Sequence, residues 1–438
     1  MVTHLEANNL IPNGQHGSRP LRSTLTQLLS HWEGVLEGLK HAEGVDSIYL
    51  DFSKAFDKVE TGVLLHKLKE SRINGKVGTW LGKFLDSTLR KQAVAVDGVL
   101  SDLSPVISGV PQGTVLGPIL FLLHISAIAR DIAPGTSLSS FVDDTRVSRS
   151  INTPADIHTL QSDLDAIYRW AEEVNMIFNG DKFELVRFWP GSEKPPNTYL
   201  DPQGLPIQEK NDLCDLGVQI SGNLSFKVHI ESVVASATRS LGWFCRTFRR
   251  RSQNLMMTGW KSLIQCKLDY CSQLWSPTDQ ASIASLERVA RSFTSKISGM
   301  ENLDYWDRLQ ALNMLSQQRR RERYQIIFIW KISQGLVQGY NLPFKENARR
   351  GLFVEIPSLE KQCPAAVTNA IEASLKVRGA RLFNLMPQYL RDMKDVSVDT
   401  FKANLDTWLA TIPGRQRAAQ SNSLIDQAAM LVASTSNS

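Results

Sequence analysis

The sequence predicts an α+β fold in the first half of the chain and a largely α-helical second half. Three observations lead to this prediction. Short β-prone runs alternate with segments of helical periodicity up to about residue 189. Residues 137–150 have the pattern of a β-hairpin, and from Phe226 onward the apolar spacing is almost entirely helical. We expect an antiparallel sheet with helices packed on one face.

Each element of the first half has its own signal. Leu28, Trp32 and Leu36 recur at helical spacing, which predicts one long amphipathic helix. Asp97-Gly98 is a strong turn signal, and Pro111 is expected to open an apolar helix. The predicted elements are a helix at 21–39, a strand at 46–52, helices at 61–71 and 76–87, a strand at 92–96, a helix at 111–123, the hairpin, a helix at 157–176 and a strand at 183–189.

The second half begins after a surface loop that is predicted at residues 190–206, which are rich in Gly, Pro and charge. A Ser/Ala/Gln/Asn-rich stretch from Arg415 predicts a frayed tail. The predicted helices between them lie at about 227–250, 254–270, 281–298, 304–313 and 317–336.

Composition places the chain among globular proteins. It has 438 residues, of which 42% are hydrophobic and 21% charged. There is no run of eighteen apolar residues and no signal-peptide pattern at the start, so we expect no membrane partner. The five cysteines form no even framework and are expected to be reduced thiols. The expected location is intracellular, in the nucleus and/or the cytoplasm.

Carboxylates follow two of the β-prone runs. Asp51 follows the apolar residues 48–50, and Asp143-Asp144 follow Phe141-Val142 about ninety positions later. A strand that ends in a carboxylate, beside a hairpin that carries two more, is how a polymerase palm gathers ligands for two Mg²⁺ ions. Most Asp-Asp pairs are solvated turn residues. The motif Ser108-Gly-Val-Pro-Gln-Gly-Thr-Val-Leu-Gly-Pro118 between the two carboxylate sites makes the pattern specific.

With these motifs, the sequence resembles the reverse transcriptases of non-LTR retrotransposons, most closely the jockey-like LINE elements. The resemblance extends over nearly the whole chain. It is carried further by Gln15-His-Gly-Ser-Arg19, Asn179-Gly-Asp-Lys-Phe183, Leu216-Gly-Val218, Leu268-Asp-Tyr-Cys-Ser-Gln-Leu-Trp275 and Leu286-Glu-Arg-Val289.

The resemblance implies an RNA-directed DNA polymerase that extends a DNA primer with dNTPs on an RNA template and holds the RNA–DNA hybrid. The implied cofactor is Mg²⁺, as two ions that Mn²⁺ can replace. The implied regions are partial fingers with the long helix (1–45), a palm (46–223), a helical thumb with a basic region (224–340) and a C-terminal helical region with the frayed tail (341–438). The segment 216–229 resembles the hairpin that grips the primer.

The candidate catalytic residues are Asp51, Asp143 and Asp144, which are also the candidate metal ligands, together with Lys182. Three ionised carboxylates near one point repel one another unless a cation is present. Lys182 resembles the palm lysine that stabilises the leaving pyrophosphate, and an ordinary exposed lysine is the alternative. Asp57 lies outside the strand and is expected to cap the helix that begins near Thr61.

The candidate dNTP-binding residues are Phe52, Phe56, Gln112 and Gly113. Phe56 occupies the position where reverse transcriptases place a ring beneath the sugar, which would clash with a ribose 2′-hydroxyl. A core phenylalanine is the alternative for Phe56. An RNA-making polymerase is disfavoured by this ring.

Basic residues are concentrated between Arg239 and Arg350, a segment that contains nineteen Lys and Arg but only eight Asp and Glu. The densest runs are the arginine triplets at 249–251 and 319–321. In a nucleic-acid polymerase, such clusters favour a surface that contacts the nucleic-acid backbone. A solvated helical face is the alternative. The candidate nucleic-acid contacts are Arg90, Gln92, Arg249, Arg250, Arg251, Arg319, Arg320 and Arg321.

The sequence departs from the family pattern in three places. Ser18 stands where relatives usually carry an aromatic residue, and Val142 stands where they carry alanine, a change that is expected to be harmless. The resemblance also implies that the sequence begins roughly where the fingers end, so the upstream fingers residues and the endonuclease of relatives are expected to be missing. A catalytically inactive, truncated nucleic-acid-binding remnant is therefore the alternative to an active enzyme.

Overall fold

The computed structural model describes residues 1–191, 193–358, 363–412 and 423–425. The chain divides into two compact units, Met1–Asn211 and Asp212–Ser438. Most of the predicted frayed tail lies outside the described residues. Within the described part, no helix combines the length and the apolar character that a membrane crossing requires.

The first unit mixes helices and strands, as the sequence predicts. Its helices are α1 (Val2–Ala7), α2 (Thr24–Gly38), α3 (Ala55–Lys58), α4 (Thr61–Glu70), α5 (Gly75–Leu85), α6 (Leu116–His124) and α7 (Pro154–Glu173), with a 3-10 turn at Gly180–Lys182. Its strands are β1 (Gly44–Leu50), β2 (Lys91–Gln92), β3 (Ala95–Val96), β4 (Val99–Leu100), β5 (Ser104–Pro105), β6 (Thr136–Phe141), β7 (Asp144–Ile151), β8 (Glu184–Phe188) and β9 (Gln208–Glu209).

The main sheet has five strands in the order β6-β7-β1-β8-β9. The first four are antiparallel, and β9 is a short parallel addition to β8. The central strand β1 is paired on both edges, which explains why it is a nearly continuous buried run. The α+β class predicted from the sequence is confirmed.

The helices cover both faces of the sheet, whereas the sequence predicts them on one. Ile48 and its neighbours in the sheet pack into the core that α4, α6 and α7 line. Tyr49 points to the opposite face, where His31 of α2 contacts its hydroxyl at 3.0 Å. Trp32 of α2 packs edge-on against Phe188 on the same face. Successive side chains of a strand point to opposite faces of the sheet. A strand with apolar residues at both odd and even positions therefore needs helices packed on each face.

Helix α6 begins later than predicted. The sequence predicts a start at Pro111, but the helix runs from Leu116 to His124. Gly113 lies between them with φ +74, a left-handed conformation that a right-handed helix cannot include. Residues 108–115 therefore form a loop, which is where the candidate nucleotide contacts Gln112 and Gly113 lie.

The second unit is largely helical, as predicted. A short hairpin, β10 (Asp212–Asp215) and β11 (Val218–Ser221), precedes the helices. In the interior of the unit, the ring of Trp330 stacks on that of Phe401, with centroids 4.2 Å apart. The remaining elements are α8 (Lys227–Thr247), α9 (Gln253–Gly259), a π-helical stretch Trp260–Gln265, α10 (Cys266–Asp269), α11 (Ser272–Trp275), α12 (Gln280–Thr294), α13 (Tyr305–Ala311), α14 (Gln317–Ser333), β12 (Phe344–Asn347), β13 (Gly351–Val354), α15 (Ala365–Ala373), a second π-helical stretch Leu375–Gly379, α16 (Ala380–Leu385), α17 (Gln388–Arg391) and α18 (Val398–Thr411).

Candidate active site

Asp51 is the first residue after the central strand β1, and the neighbouring chain segment fixes its backbone. The carbonyl of Asp51 accepts the N–H of Asn179 at 2.9 Å. The N–H of Ser53 donates to the carbonyl of Ile177 at 2.8 Å. These bonds hold residues 177–179 beside the end of β1. The 3-10 turn Gly180–Lys182 comes next in the chain, and Lys182 Nζ lies 3.1 Å from Asp51 Oδ2. The structure thus brings these two predicted catalytic residues together.

The other two carboxylates lie at the tip of the β6–β7 hairpin. Thr145 is paired with Leu50, the last residue of β1. Asp144 precedes Thr145 and Asp51 follows Leu50, so the two aspartates lie at the same edge of the sheet. Phe141 is paired with Asp144, which leaves Val142-Asp143 as a two-residue turn. Val142 has φ +62. A positive φ costs a residue other than glycine about 1 to 3 kcal/mol, and it is unusual for a β-branched residue.

The three carboxylates influence one another electrostatically. Burial raises the pKa of Asp143 above its ordinary value, and the negative charges of Asp144 and Asp51 raise it further. Burial also raises the pKa of Asp144, with Asp51 adding to the rise and the positive charges of Arg146 and Lys182 opposing it. Negative charge is therefore concentrated at this edge of the sheet, and a cation there would relieve the repulsion.

The donor chemistry of this edge suits a hard divalent cation. In the described residues, no group of three or more His, Cys, Asp or Glu side chains forms a site that could hold a metal by itself. Mg²⁺ usually binds through one or two carboxylates, with substrate phosphates and water completing its shell, rather than in an all-protein cage. One or two of the carboxylates of Asp51, Asp143 and Asp144 would suffice for that mode of binding.

The loop 108–113 is bonded to the segment that follows Asp51. The N–H of Val110 donates to the carbonyl of Phe56 at 2.9 Å. Gln112 Nε2 donates to Asp57 Oδ1 at 2.8 Å. Arg90 donates to the carbonyl of Gly109 at 2.8 Å. Arg90, predicted as a nucleic-acid contact, thus supports this loop from within the unit.

The two candidate phenylalanines have different environments. Phe56 is half-buried and stacks on Phe121 with ring centroids 4.6 Å apart. Phe52 is 4% exposed and stacks on Phe178 at 4.4 Å. The Phe52 ring is therefore part of the core, and the dNTP-binding role of this residue stays a prediction that the ring itself does not support. Gln92 is exposed on the short strand β2.

Asp57 does not cap the helix α4 as expected. Glu60 occupies the N-cap position of that helix, and Asp57 lies within the short helix α3. Its carboxylate accepts from Gln112, and its carbonyl accepts from the hydroxyl of Ser108 at 2.8 Å. Sequence reasoning missed the contact between Asp57 and Gln112.

The second arginine triplet is not a surface patch. Arg319 and Arg321 are 5% and 3% exposed. Arg320 forms a two-pronged ion pair with Asp269, with distances of 2.8 to 3.0 Å. The prediction that these three arginines contact nucleic acid is wrong for the two buried residues. Their charge lies among buried acidic groups such as Glu322 inside the second unit.

The first arginine triplet is more accessible. Arg249 and Arg250 are exposed just beyond the end of α8. Arg251 is half-buried and donates to the carbonyl of Cys245 at 2.6 Å. That Arg249 and Arg250 contact the nucleic-acid backbone stays a prediction.

Comparison with known proteins adds a family match. Residues 1–220 match the family described as reverse transcriptase (RNA-dependent DNA polymerase). The chain is 26% identical over 310 residues to a probable RNA-directed DNA polymerase from transposon X-element of Drosophila melanogaster, which covers 69% of this chain and 33% of that protein. It is 28% identical over 309 residues to the RNA-directed DNA polymerase from mobile element jockey of Drosophila funebris, which covers 68% and 33%. The chain thus spans about a third of the length of these relatives.

Among solved structures, apo telomerase from Candida tropicalis aligns with a TM-score of 0.40 at 12% identity, covering 73% of this chain and 54% of that chain. Telomerase from Candida albicans in complex with a fragment of telomeric RNA aligns with a TM-score of 0.37 at 13% identity, covering 72% and 56%.

Proposed function

The chain belongs to the reverse transcriptase (RNA-dependent DNA polymerase) family, and we propose that it extends a DNA primer with dNTPs on an RNA template. The relatives from jockey and X-element bear out the resemblance to non-LTR retrotransposons that the motifs indicated. The observation that carries the proposal is the meeting of Asp51, Asp143 and Asp144 at one edge of the sheet. A structural role does not explain three mutually repelling carboxylates there.

Reverse transcriptases generally use divalent metal ions. We propose that Asp51, Asp143 and Asp144 hold two Mg²⁺ ions, which Mn²⁺ can replace. When bound, such ions activate the attacking hydroxyl and neutralise charge on the phosphates.

The remaining residues of the site position the substrate. Lys182, already beside Asp51, can stabilise negative charge on the departing pyrophosphate. Gln112 and Gly113 belong to the loop that is hydrogen-bonded to Asp57, and we propose that this loop contacts the incoming nucleotide or the template. Phosphoryl transfer depends mostly on such positioning and charge neutralisation.

The proposal is tested by primer extension on poly(rA)/oligo(dT) with Mg²⁺ and dTTP, with hybrid binding measured in parallel by fluorescence anisotropy. Extension that stops when the metal is chelated supports the proposal. Hybrid binding without extension, in Mg²⁺ and in Mn²⁺, would instead support the inactive nucleic-acid-binding remnant.

Phe56→Val is expected to allow incorporation of ribonucleotides. The ring is half-buried against Phe121, and its removal would open space beneath the sugar while the segment remains anchored through its backbone. The measurement is the ratio of rates with rTTP and dTTP for each variant. Phe121→Leu is the control, because it loosens the same stack without shortening residue 56. Equal discrimination by Phe56→Val and the unmodified chain would identify Phe56 as a core residue.

Replacing Arg249 and Arg250 with glutamine is expected to weaken binding to duplex and hybrid alike. Both side chains are exposed, so the change removes charge without unpacking the core. The slope of log K against log salt should flatten by roughly one unit for each phosphate that the variant no longer neutralises. Arg130→Gln is the control, because Arg130 is an exposed arginine paired with Asp131 in the other unit. An unchanged slope would assign Arg249 and Arg250 to a solvated helix end.

A further inference from the structure

Gln15 belongs to the motif 15–19, to which the proposed function gives no role. Its side chain is buried, with the residue only 4% exposed, and its amide lies against the turn that carries Asp143. Oε1 accepts the backbone N–H of Val142 at 2.8 Å. Nε2 donates to the carbonyl of Val142 at 2.9 Å. One side chain therefore satisfies both backbone polar groups of the turn residue, as a neighbouring strand would.

Val142 requires this support because of its conformation. Its φ of +62 is one that glycine adopts freely and that a β-branched residue adopts only when its surroundings enforce it. A two-residue hairpin turn with positive φ at the first position normally has glycine there. The next residue is Asp143, so relaxation of φ at Val142 would move the Asp143 carboxylate.

The loop that carries Gln15 is fixed to the same hairpin. The N–H of His16 donates to the carbonyl of Ser140 at 2.8 Å, and the N–H of Ser140 donates to the carbonyl of Gly14 at 2.9 Å. Gly17 makes the close approach possible, since a Cβ there would lie 2.4 Å from the nitrogen of Val142. The loop thus behaves as a short extra strand at the tip of β6.

The other end of the motif anchors this loop. The guanidinium of Arg19 donates to the carbonyl of Pro12 at 2.8 Å and to the carboxylate of Glu6 at 2.8 Å. It also donates to the carbonyl of Gln15 itself at 3.2 Å. Hydrogen bonding to Arg19 lowers the pKa of Glu6, so the anchoring carboxylate is ionised at neutral pH. The amide of Gln15 is therefore presented from a fixed backbone.

We propose that Gln15 is a positioning residue that holds the left-handed turn at Val142 so that Asp143 and Asp144 face a shared divalent-metal site. The proposal rests on the metal-binding part of the proposed function. It assigns the motif 15–19 to support of the hairpin tip and not to contact with substrate. Supporting residues of this kind typically change metal affinity by about tenfold to a hundredfold when they are removed.

The first test measures the turn itself. Gln15→Ala should increase hydrogen–deuterium exchange in residues 141–145, because the N–H of Val142 loses its acceptor. Gln161→Ala is the matched control. The amide of Gln161 accepts the backbone N–H of Leu200 at 2.8 Å, so its removal frees a comparable bond elsewhere in the same unit. Gln15→Glu keeps an acceptor oxygen for the N–H of Val142 but cannot donate to the carbonyl of Val142. Its exchange should therefore fall between that of Gln15→Ala and that of the unmodified chain.

The second test measures the metal site without chemistry. Mn²⁺ is titrated by electron paramagnetic resonance into the full chain bound to a dideoxy-terminated primer on poly(rA) with dTTP. Gln15→Ala should weaken Mn²⁺ binding by about tenfold, and Gln161→Ala should not. Adding Val142→Gly to Gln15→Ala should restore most of the affinity, because glycine adopts positive φ without the amide.

The outcomes separate the two proposals. Unchanged exchange in Gln15→Ala would overturn the role of Gln15 in the turn. Raised exchange with unchanged Mn²⁺ affinity would make its role structural only and would overturn positioning. Failure of Val142→Gly to rescue the variant would also count against the mechanism. An unmodified chain that takes up no Mn²⁺ would remove the metal site of the proposed function, and this inference with it.

Discussion

Asp143→Asn is expected to abolish primer extension while leaving hybrid binding unchanged. Asparagine has nearly the same shape as aspartate, so the two-residue turn and its bonds to Gln15 should persist. The substitution removes one negative charge of the three that meet at this edge of the sheet. The expected reduction in rate is about a thousandfold or more, which corresponds to about 4 kcal/mol of transition-state stabilisation.

The effect can be distinguished from loss of folding. Because the three carboxylates repel one another, replacing one with a neutral amide should not lower the thermal midpoint in the presence of a chelator. Asp131→Asn removes an exposed carboxylate from the same unit and should leave extension unchanged. If Asp143→Asn extends primers as the unmodified chain does, Asp143 is not a metal ligand.

The meeting of the carboxylates could be predicted from sequence because it depends on local patterns. The apolar run before Asp51 and the hairpin pattern around Asp143 each define a strand end. Antiparallel pairing then brings neighbouring strand ends together. Lys182 follows the same logic, because a short turn after α7 leads directly into the next strand of the sheet.

The environment of the second arginine triplet could not be predicted in this way. Local charge density does not reveal which arginines find partners distant in sequence, and Arg320 is paired with Asp269 some fifty positions earlier. Arg319 and Arg321 are both buried in α14, although the sequence there is as polar as a solvated helix. Buried charges of this kind are stabilised by tertiary contacts that helical periodicity does not encode.

Backbone conformation at the turn is also beyond what the sequence predicts. Valine favours strands, so the pattern before Asp143 indicates an ordinary strand residue and a harmless exchange for alanine. The positive φ becomes understandable only with Gln15, which is more than a hundred positions away and satisfies the backbone of the turn. A local preference is here overridden by a contact from another segment.

Gly109 is a position where a single methyl group should disturb the proposed nucleotide-binding loop. Its φ is +86, and a Cβ there would lie 2.9 Å from the Cα of Asp57 and 3.0 Å from the carbonyl oxygen of Phe56. Both of these atoms belong to backbone, so no side chain can rotate away to accommodate the methyl group. Gly109→Ala must therefore separate the loop 108–113 from the segment that carries Phe56.

Gly109→Ala is expected to reduce extension about a hundredfold, since displacement of positioning groups by about 1 Å has effects of that size. The separation should also break the bond between Gln112 and Asp57, so the KM for dTTP should rise and discrimination against rTTP should change as Phe56 shifts. Gly98→Ala is the matched control, because Gly98 has a similar φ of +82 with no atom within 4 Å of the added Cβ. It reports the cost of the backbone conformation alone. Equal activity of the two variants would mean that the contacts of the loop 108–113 with Phe56 and Asp57 do not position the nucleotide.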